Sequence, residues 1–151
     1  RIYRETAALN LQLGFGHHLF LNTYRQLDRK SLEAGGTLLG YRRDPHLEVT
    51  QISEPCGSDI RKRTFFDRRD TCHQKRAIKM WHESGRFIDY VGDWHTHPER
   101  CPTPSSLDLQ QWRSLREQTK IDPMLELIIG TEAVWAGLVV KGRVRRLIPT
   151  M

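Results

Sequence analysis

The chain has 151 residues, a formal net charge of +6 and a pI near 9.5, a length that suits one domain spanning 1–151 with a core needing no metal or disulfide staple. Its three cysteines, Cys56, Cys72 and Cys101, form no CxxC pair, which argues against a disulfide scaffold and fits a reducing, cytoplasmic compartment. No apolar run reaches membrane-span length and no signal-peptide pattern opens the chain, although an Arg1 start implies that an initiator methionine, with or without further residues, has been lost or trimmed.

In chain order, LNLQL (9–13) alternates and reads as a short strand. Residues 17–33 carry Phe20, Tyr24 and Leu27 at helical spacing, with Leu19, Leu21 and Leu32 widening the apolar face. The spacing predicts a helix that ends near Glu33 and is stopped by Gly35–Gly36. TLLGYR (37–42) and LEVTQISE (47–54) read as a strand pair joined by a tight DPH turn. Residues 55–70 read as a long loop with a short strand at TFF, and 71–84 as a helix with Ala77, Ile78 and Trp81 on one side.

FIDYVGDWH (87–95) is the best buried strand, and Pro98, Pro102 and Pro104 stiffen the turn after it. Ser105 or Ser106 caps a helix running to about 119. Three further strands follow, MLELIIG (124–130), AVWAGLVV (133–140) and RVRRLI (143–148), the last two a hairpin around Lys141–Gly142. The sum is an α/β (α+β-like) single domain, one mixed sheet flanked by helices in a sandwich.

The chemistry concentrates in HTHPERCPTPSSLD (95–108). On a strand, His95 and His97 point the same way, so both imidazoles can grip one metal ion. Asp108, beyond the proline turn, offers a third ligand and leaves one position for water, as in catalytic zinc sites. SSLD also reads as a capping box with Ser105 at the N-cap and an acid at N3. The two readings compete for Asp108, and spacing alone does not choose between them. Asp93 shares the histidine face and could orient a ligand imidazole. Cys101 sits in the turn, close in sequence to both histidines, where a cysteine nucleophile is a competing reading, and His17, His18, His46, His73 and His82 fit no constellation and default to surface or cap roles.

The full pattern resembles the JAMM metalloproteases, the catalytic branch of the MPN/JAB fold. HTHP is followed by seven residues to Ser105 and then Asp108, and EAGGTLLG (33–40) supplies the upstream glutamate and its glycine-containing strand. A narrower likeness, in WHESGRFIDYVGDWHTHPE with PTPSSLDLQQW, is to bacterial JAB deconjugating peptidases of CBASS anti-phage operons, encoded beside a cGAS/DncV-like nucleotidyltransferase and E1/E2-like ligation proteins. The resemblance implies a cytidine-deaminase-like architecture and one catalytic Zn2+ per chain with a bound water. It implies His95, His97 and Asp108 as metal ligands, Glu33 as proton carrier and Ser105 as oxyanion donor, which leaves Ser106 to cap the helix and turns Cys101 into a bystander. It also implies hydrolysis of the amide after the C-terminus of a ubiquitin-like protein or a conjugated CD-NTase, with the E1/E2-like ligase as operon partner.

Arg61, Lys62, Arg63, Arg68, Arg69 and Arg100 could meet an acidic face of such a substrate. Neither a membrane nor nucleic acid is expected as partner, since no zinc-finger or RRM pattern is present. A JAMM peptidase of another pathway, such as sulfur-carrier processing, and a non-catalytic MPN scaffold are the alternatives.

Overall fold

The structure is a computed structural model and describes residues 2–4, 10–13, 20–43 and 46–150. Its strands are β1 (Ile2–Arg4), β2 (Asn10–Leu13), β3 (Gly35–Arg43), β4 (His46–Ile52), β5 (Ile60–Lys62), β6 (Phe65–Asp67), β7 (Asp89–Thr96), β8 (Met124–Ile129), β9 (Val134–Val140) and β10 (Arg143–Thr150). The helices are α1 (Cys72–Glu83) and α2 (Ser106–Thr119). Eight strands form one mixed sheet in the order β1-β10-β9-β8-β7-β3-β4-β2, which closes on itself through β1 and β2, while β5 and β6 make a separate hairpin. The expected mixed sheet with helices is present, but the sheet curls into a barrel rather than a flat sandwich layer. None of the described helices is long and apolar enough to cross a membrane.

The strands follow the apolar pattern. Every residue of β8 is buried, and β9 is buried from Trp135 to Val139, as expected of strands covered on both faces. β7 runs parallel to β8 and antiparallel to β3, placing Gly35 opposite His95 and Ile128 beside it. The β9–β10 hairpin turns on Lys141 (φ 50°) and Gly142 (φ 77°), a two-residue loop whose positive φ values match the twist of the strands. One side of the core centres on Trp94, Leu38 and Leu127. The other is made by Trp112 of α2 stacked on Trp135 of β9, ring centroids 5.7 Å apart. This second cluster fixes α2 across the carboxyl end of β7.

Three expectations are corrected. The helix expected over 17–33 is present only at residues 20–22, positions 17–19 lying outside the described residues. Phe20 and Tyr24 do pack on the core, but Leu27 and Leu32 are exposed. The backbone beyond is held by tertiary bonds instead: Glu33 N donates to Lys62 O (2.8 Å) and Thr96 N to Ala34 O (2.9 Å). Those bonds replace an i→i−4 ladder, so local periodicity misleads here. In α1, Ile78 is exposed and the buried residue is His73. Finally, Cys56 and Cys72 are joined as a disulfide with Cα atoms 6.5 Å apart. No motif marks them, because the β5–β6 hairpin between them brings their ends together. The DPH turn falls partly outside the described residues.

Candidate metal centre and active-site groove

β7 ends at Thr96, so His95 leaves the sheet on the face that α2 covers and His97 follows just past the strand. Thr96 points the other way and is fully buried. Its hydroxyl accepts from Ala34 N (3.0 Å) and donates to Gln26 Oε1 (2.9 Å), tying β7 to the segment that carries Glu33. His97 N donates to Ile129 O at 3.0 Å, which holds the second histidine against β8.

The donor atoms converge. His95 Nε2 and His97 Nε2 are 3.0 Å apart, and each lies 3.2 Å from one carboxylate oxygen of Asp108, Oδ1 and Oδ2 respectively. A tetrahedral ion with bonds of about 2.0–2.1 Å requires donor separations of about 3.3–3.4 Å, so this triangle fits a small divalent cation with little adjustment. The donors are largely buried, and the remaining side faces a groove of about 900 Å3 lined by Glu33, Phe65, Phe66, Ser105, Leu107 and Gln111 among others.

The electrostatics follow from burial and proximity. Burial alone would raise the Asp108 carboxyl, but hydrogen bonds from His95 and His97, the His95 charge and the Ser105 amide hold it well below the carboxylate range. Burial would lower His97, yet Asp108, Glu33 and Glu99 raise it. Glu33 is 5% exposed, and burial pushes its carboxyl up to about 7 against a partial offset from His97. Its place is a buried loop, not a helix end, so no helix dipole opposes its charge.

The α2 start differs from the expected division of labour between the serines. Ser105, not Ser106, is the N-cap: its Oγ accepts from Asp108 N (3.1 Å) while Asp108 Oδ2 accepts from Ser105 N (2.8 Å). The capping box and the donor triangle therefore coexist, because a carboxylate has several lone pairs to share between them. The Ser105 hydroxyl accepts in the cap and keeps its own proton to donate.

Asp93 departs from expectation too. Its carboxylate takes Arg68 Nη1 and the Tyr90 hydroxyl, so it anchors the end of β6 and not a ligand imidazole. The other basic side chains of the expected patch also make contacts within the fold. Arg61 Nε donates to Glu33 O (2.8 Å), Arg63 Nη1 to Asp28 O (3.0 Å), Arg69 pairs with Asp67 and Arg100 with Glu132. Arg61, Lys62, Arg63 and Arg69 nevertheless remain exposed, so the stretch braces the groove wall and keeps a basic outer surface.

Two residues escaped the sequence reading. His73 is buried, with Nδ1 2.8 Å from Ser53 Oγ and Nε2 2.6 Å from Asp59 Oδ2. Ser53 in turn accepts from Thr37 N and, through its carbonyl, from Trp94 Nε1, so His73 braces the strands behind the site. Glu126 is buried beside Asp93 in register, and neither of its carboxylate oxygens has a hydrogen-bond partner. A single acid inside MLELIIG was the one available signal for it. Cys101 is exposed and unpaired, and His17 and His18 lie outside the described residues.

Two imidazoles and one carboxylate, open on the groove side, are the donor set of a metallohydrolase centre. The chain belongs to the prokaryotic homologs of the JAB domain, whose family pattern matches residues 18–143. It is 42% identical over 127 residues to a CD-NTase/cGAS isopeptidase of Escherichia coli, covering 84% of this chain and 80% of that one. It is 44% identical over 117 residues to a protein of the same name from Vibrio cholerae, covering 78% and 74%. A Sinorhizobium fredii protein named "Probable metalloprotease y4qB" is 32% identical over 109 residues, covering 69% and 66%. The fold is also similar to the solution structure of a Desulfitobacterium hafniense protein, with a TM-score of 0.64 at 22% identity, covering 92% of this chain and 89% of that one.

Proposed function

We propose that this chain is a zinc-dependent isopeptidase that hydrolyses the amide joining the C-terminus of a conjugated CD-NTase, or of a ubiquitin-like protein, to an amine, reversing or priming conjugation in a CBASS anti-phage system. The observation that carries this reading is the triangle of His95, His97 and Asp108 sharing one groove with the buried Glu33. The names of the E. coli and V. cholerae relatives support the substrate class. A cytoplasmic location belongs to the same reading.

His95, His97 and Asp108 would hold the zinc. When bound, zinc lowers the pKa of a coordinated water and polarises the scissile carbonyl. Glu33, buried and poised near neutral pH, takes the proton from the attacking water and passes it to the leaving amine. That double transfer balances the reaction: one water is consumed, and a carboxylate and an amine are released. The Ser105 hydroxyl, held at the helix start, donates to the carbonyl oxygen as charge gathers there. The E1/E2-like ligation proteins make the conjugate in this scheme and need not bind the peptidase. An extended substrate tail lies along the groove between the β5–β6 hairpin and α2.

The test is cleavage of a CD-NTase C-terminal fusion by wild type, Glu33→Gln and His97→Ala, with zinc measured in each. Wild type cleaves and holds one zinc, Glu33→Gln holds zinc without cleaving, and His97→Ala loses both. Full activity in Glu33→Gln would overturn the mechanism.

A further inference from the structure

The Cys56–Cys72 disulfide closes a ring around the β5–β6 hairpin, its two cysteines 16 residues apart. That hairpin is one wall of the groove through Thr64, Phe65, Phe66 and Arg68. It also carries the backbone of Glu33 on both sides. Lys62 O accepts from Glu33 N, and Arg61 Nε donates to Glu33 O, each at 2.8 Å. Next along the chain, the Phe66 ring is packed so tightly on Gly35 that an added Cβ there would lie within 2.6 Å of Phe66 Cε1.

The root of the hairpin is pinned by two carboxylates. Asp59 accepts from Cys56 N (2.7 Å), Arg69 N (2.9 Å) and Asp70 N (2.9 Å). Asp70 accepts from Ser58 N (2.8 Å) and Cys72 N (2.9 Å). Both cysteine amides are therefore part of the root, and the covalent bond lies at the centre of this network. The two cysteines are only half-buried, and Cys72 opens α1, where a helix N-terminus favours the thiolate that exchange requires. Cys56, Cys72 and His73 could also be read as a metal-binding group. Against that, both ring nitrogens of His73 are already engaged with Ser53 and Asp59, so a cation would have to break a buried chain.

We propose that Cys56 and Cys72 form a reversible redox clip at the root of the β5–β6 hairpin, which sets how firmly the hairpin holds Glu33 in the groove. The proposal rests on the peptidase reading only in giving Glu33 its catalytic task. Oxidation removes two protons and two electrons from the thiol pair and delivers them to a low-molecular-weight disulfide, which leaves as two thiols. A dithiol reverses the exchange. In the closed state the hairpin root cannot open, so β5 keeps its bonds to Glu33. In the open state the hairpin keeps its hydrogen bonds, the Arg68–Asp93 pair and the Phe66 packing but loses the covalent tie at its root, and it exchanges more freely.

The experiment compares the full chain equilibrated with oxidised glutathione and with dithiothreitol. Alkylation and peptide mapping count the thiols, amide exchange is followed at Glu33 and across 58–68, and cleavage of the fusion substrate is measured with zinc content alongside. Oxidation should link Cys56 to Cys72 and leave Cys101 alkylatable. Reduction should speed exchange of the Glu33 amide by about tenfold. It should also lower kcat/KM by about tenfold at unchanged zinc content, a loss of the size that misplaced catalytic groups cause. Both differences should vanish in Cys56→Ser and Cys72→Ser and persist in Cys101→Ser.

Failure of the pair to link, identical exchange in the two forms, or a second zinc that Cys56→Ser releases would each overturn the clip. A redox-dependent exchange difference with no hydrolysis in either form refutes the peptidase reading and leaves the clip standing. Equal hydrolysis and equal exchange in both forms refutes the clip alone.

Discussion

Replacing Glu126 with glutamine tests the electrostatics behind the site without touching it. Glu126 is 1% exposed, both of its carboxylate oxygens lack hydrogen-bond partners, and burial pushes its carboxyl well above the usual 4.5, against a smaller lowering by Arg68. The folded chain therefore keeps a proton at this residue that the unfolded chain releases above its ordinary pKa. In that window the unfolded state binds fewer protons, so the stabilisation present at acid pH is lost as pH rises toward the folded pKa. Between the ordinary and the raised pKa the slope approaches about 1.4 kcal/mol per pH unit for this one proton. Glutamine keeps the shape and removes the titration, so Glu126→Gln should gain on wild type at that slope as pH rises above the ordinary carboxyl range. For a chain of this length each such pH unit corresponds to roughly 3–6 °C in Tm. Urea denaturation of both proteins at several pH values reads the difference directly, since every other titrating group is common to the two. Parallel stability curves would mean that Glu126 is ionised in the fold and would refute the reasoning.

Thr96→Val should cost about 2–3 kcal/mol in a denaturation midpoint assay, because it strips a buried amide (Ala34 N) and a buried amide oxygen (Gln26 Oε1) of their partner. Gly36→Ala puts a methyl within 2.6 Å of Ser53 Oγ and 2.9 Å of Trp94 Nε1. It should lower stability by about 1–3 kcal/mol and reduce cleavage, both readable from a melting curve and an initial-rate assay. Zinc affinity should fall as pH drops through the raised His97 pKa, since the ligand must lose its proton to bind. The fall is about tenfold per pH unit for each proton displaced, and competitive chelator titrations measure it. A pH-independent affinity would show that His97 carries no proton in the metal-free chain.

Much of this molecule is legible in one dimension because its determinants are local. Alternation in β4 and the unbroken apolar runs of β8 and β9 report burial that a strand imposes directly. His95 and His97 are close in space because they are two apart at the end of a strand, and Asp108 is near them because a proline-stiffened turn leads straight into α2. Glu33 was found by pattern and not by physics. Its loop is built from bonds to Lys62 and Thr96, partners remote in sequence, and the apolar spacing upstream pointed to a helix instead. The pairing of Cys56 with Cys72 was equally hidden, because it depends on a hairpin whose two strands are three residues each. Burial of His73 was invisible for a related reason: its partners Ser53 and Asp59 lie in the β4–β5 connection, remote from α1 in sequence.

Asp108 serves the helix and the donor triangle with one side chain, and the two obligations differ in kind. The capping bonds to Ser105 form whenever α2 folds, with or without an ion. A descendant that abandoned hydrolysis would be free to shed His95 and His97, while selection for a well-started α2 would still retain an acid at position 108. Among inactive descendants, a surviving aspartate here would thus record ancestry through its folding role, and the histidines would be the informative positions for judging whether catalysis persists.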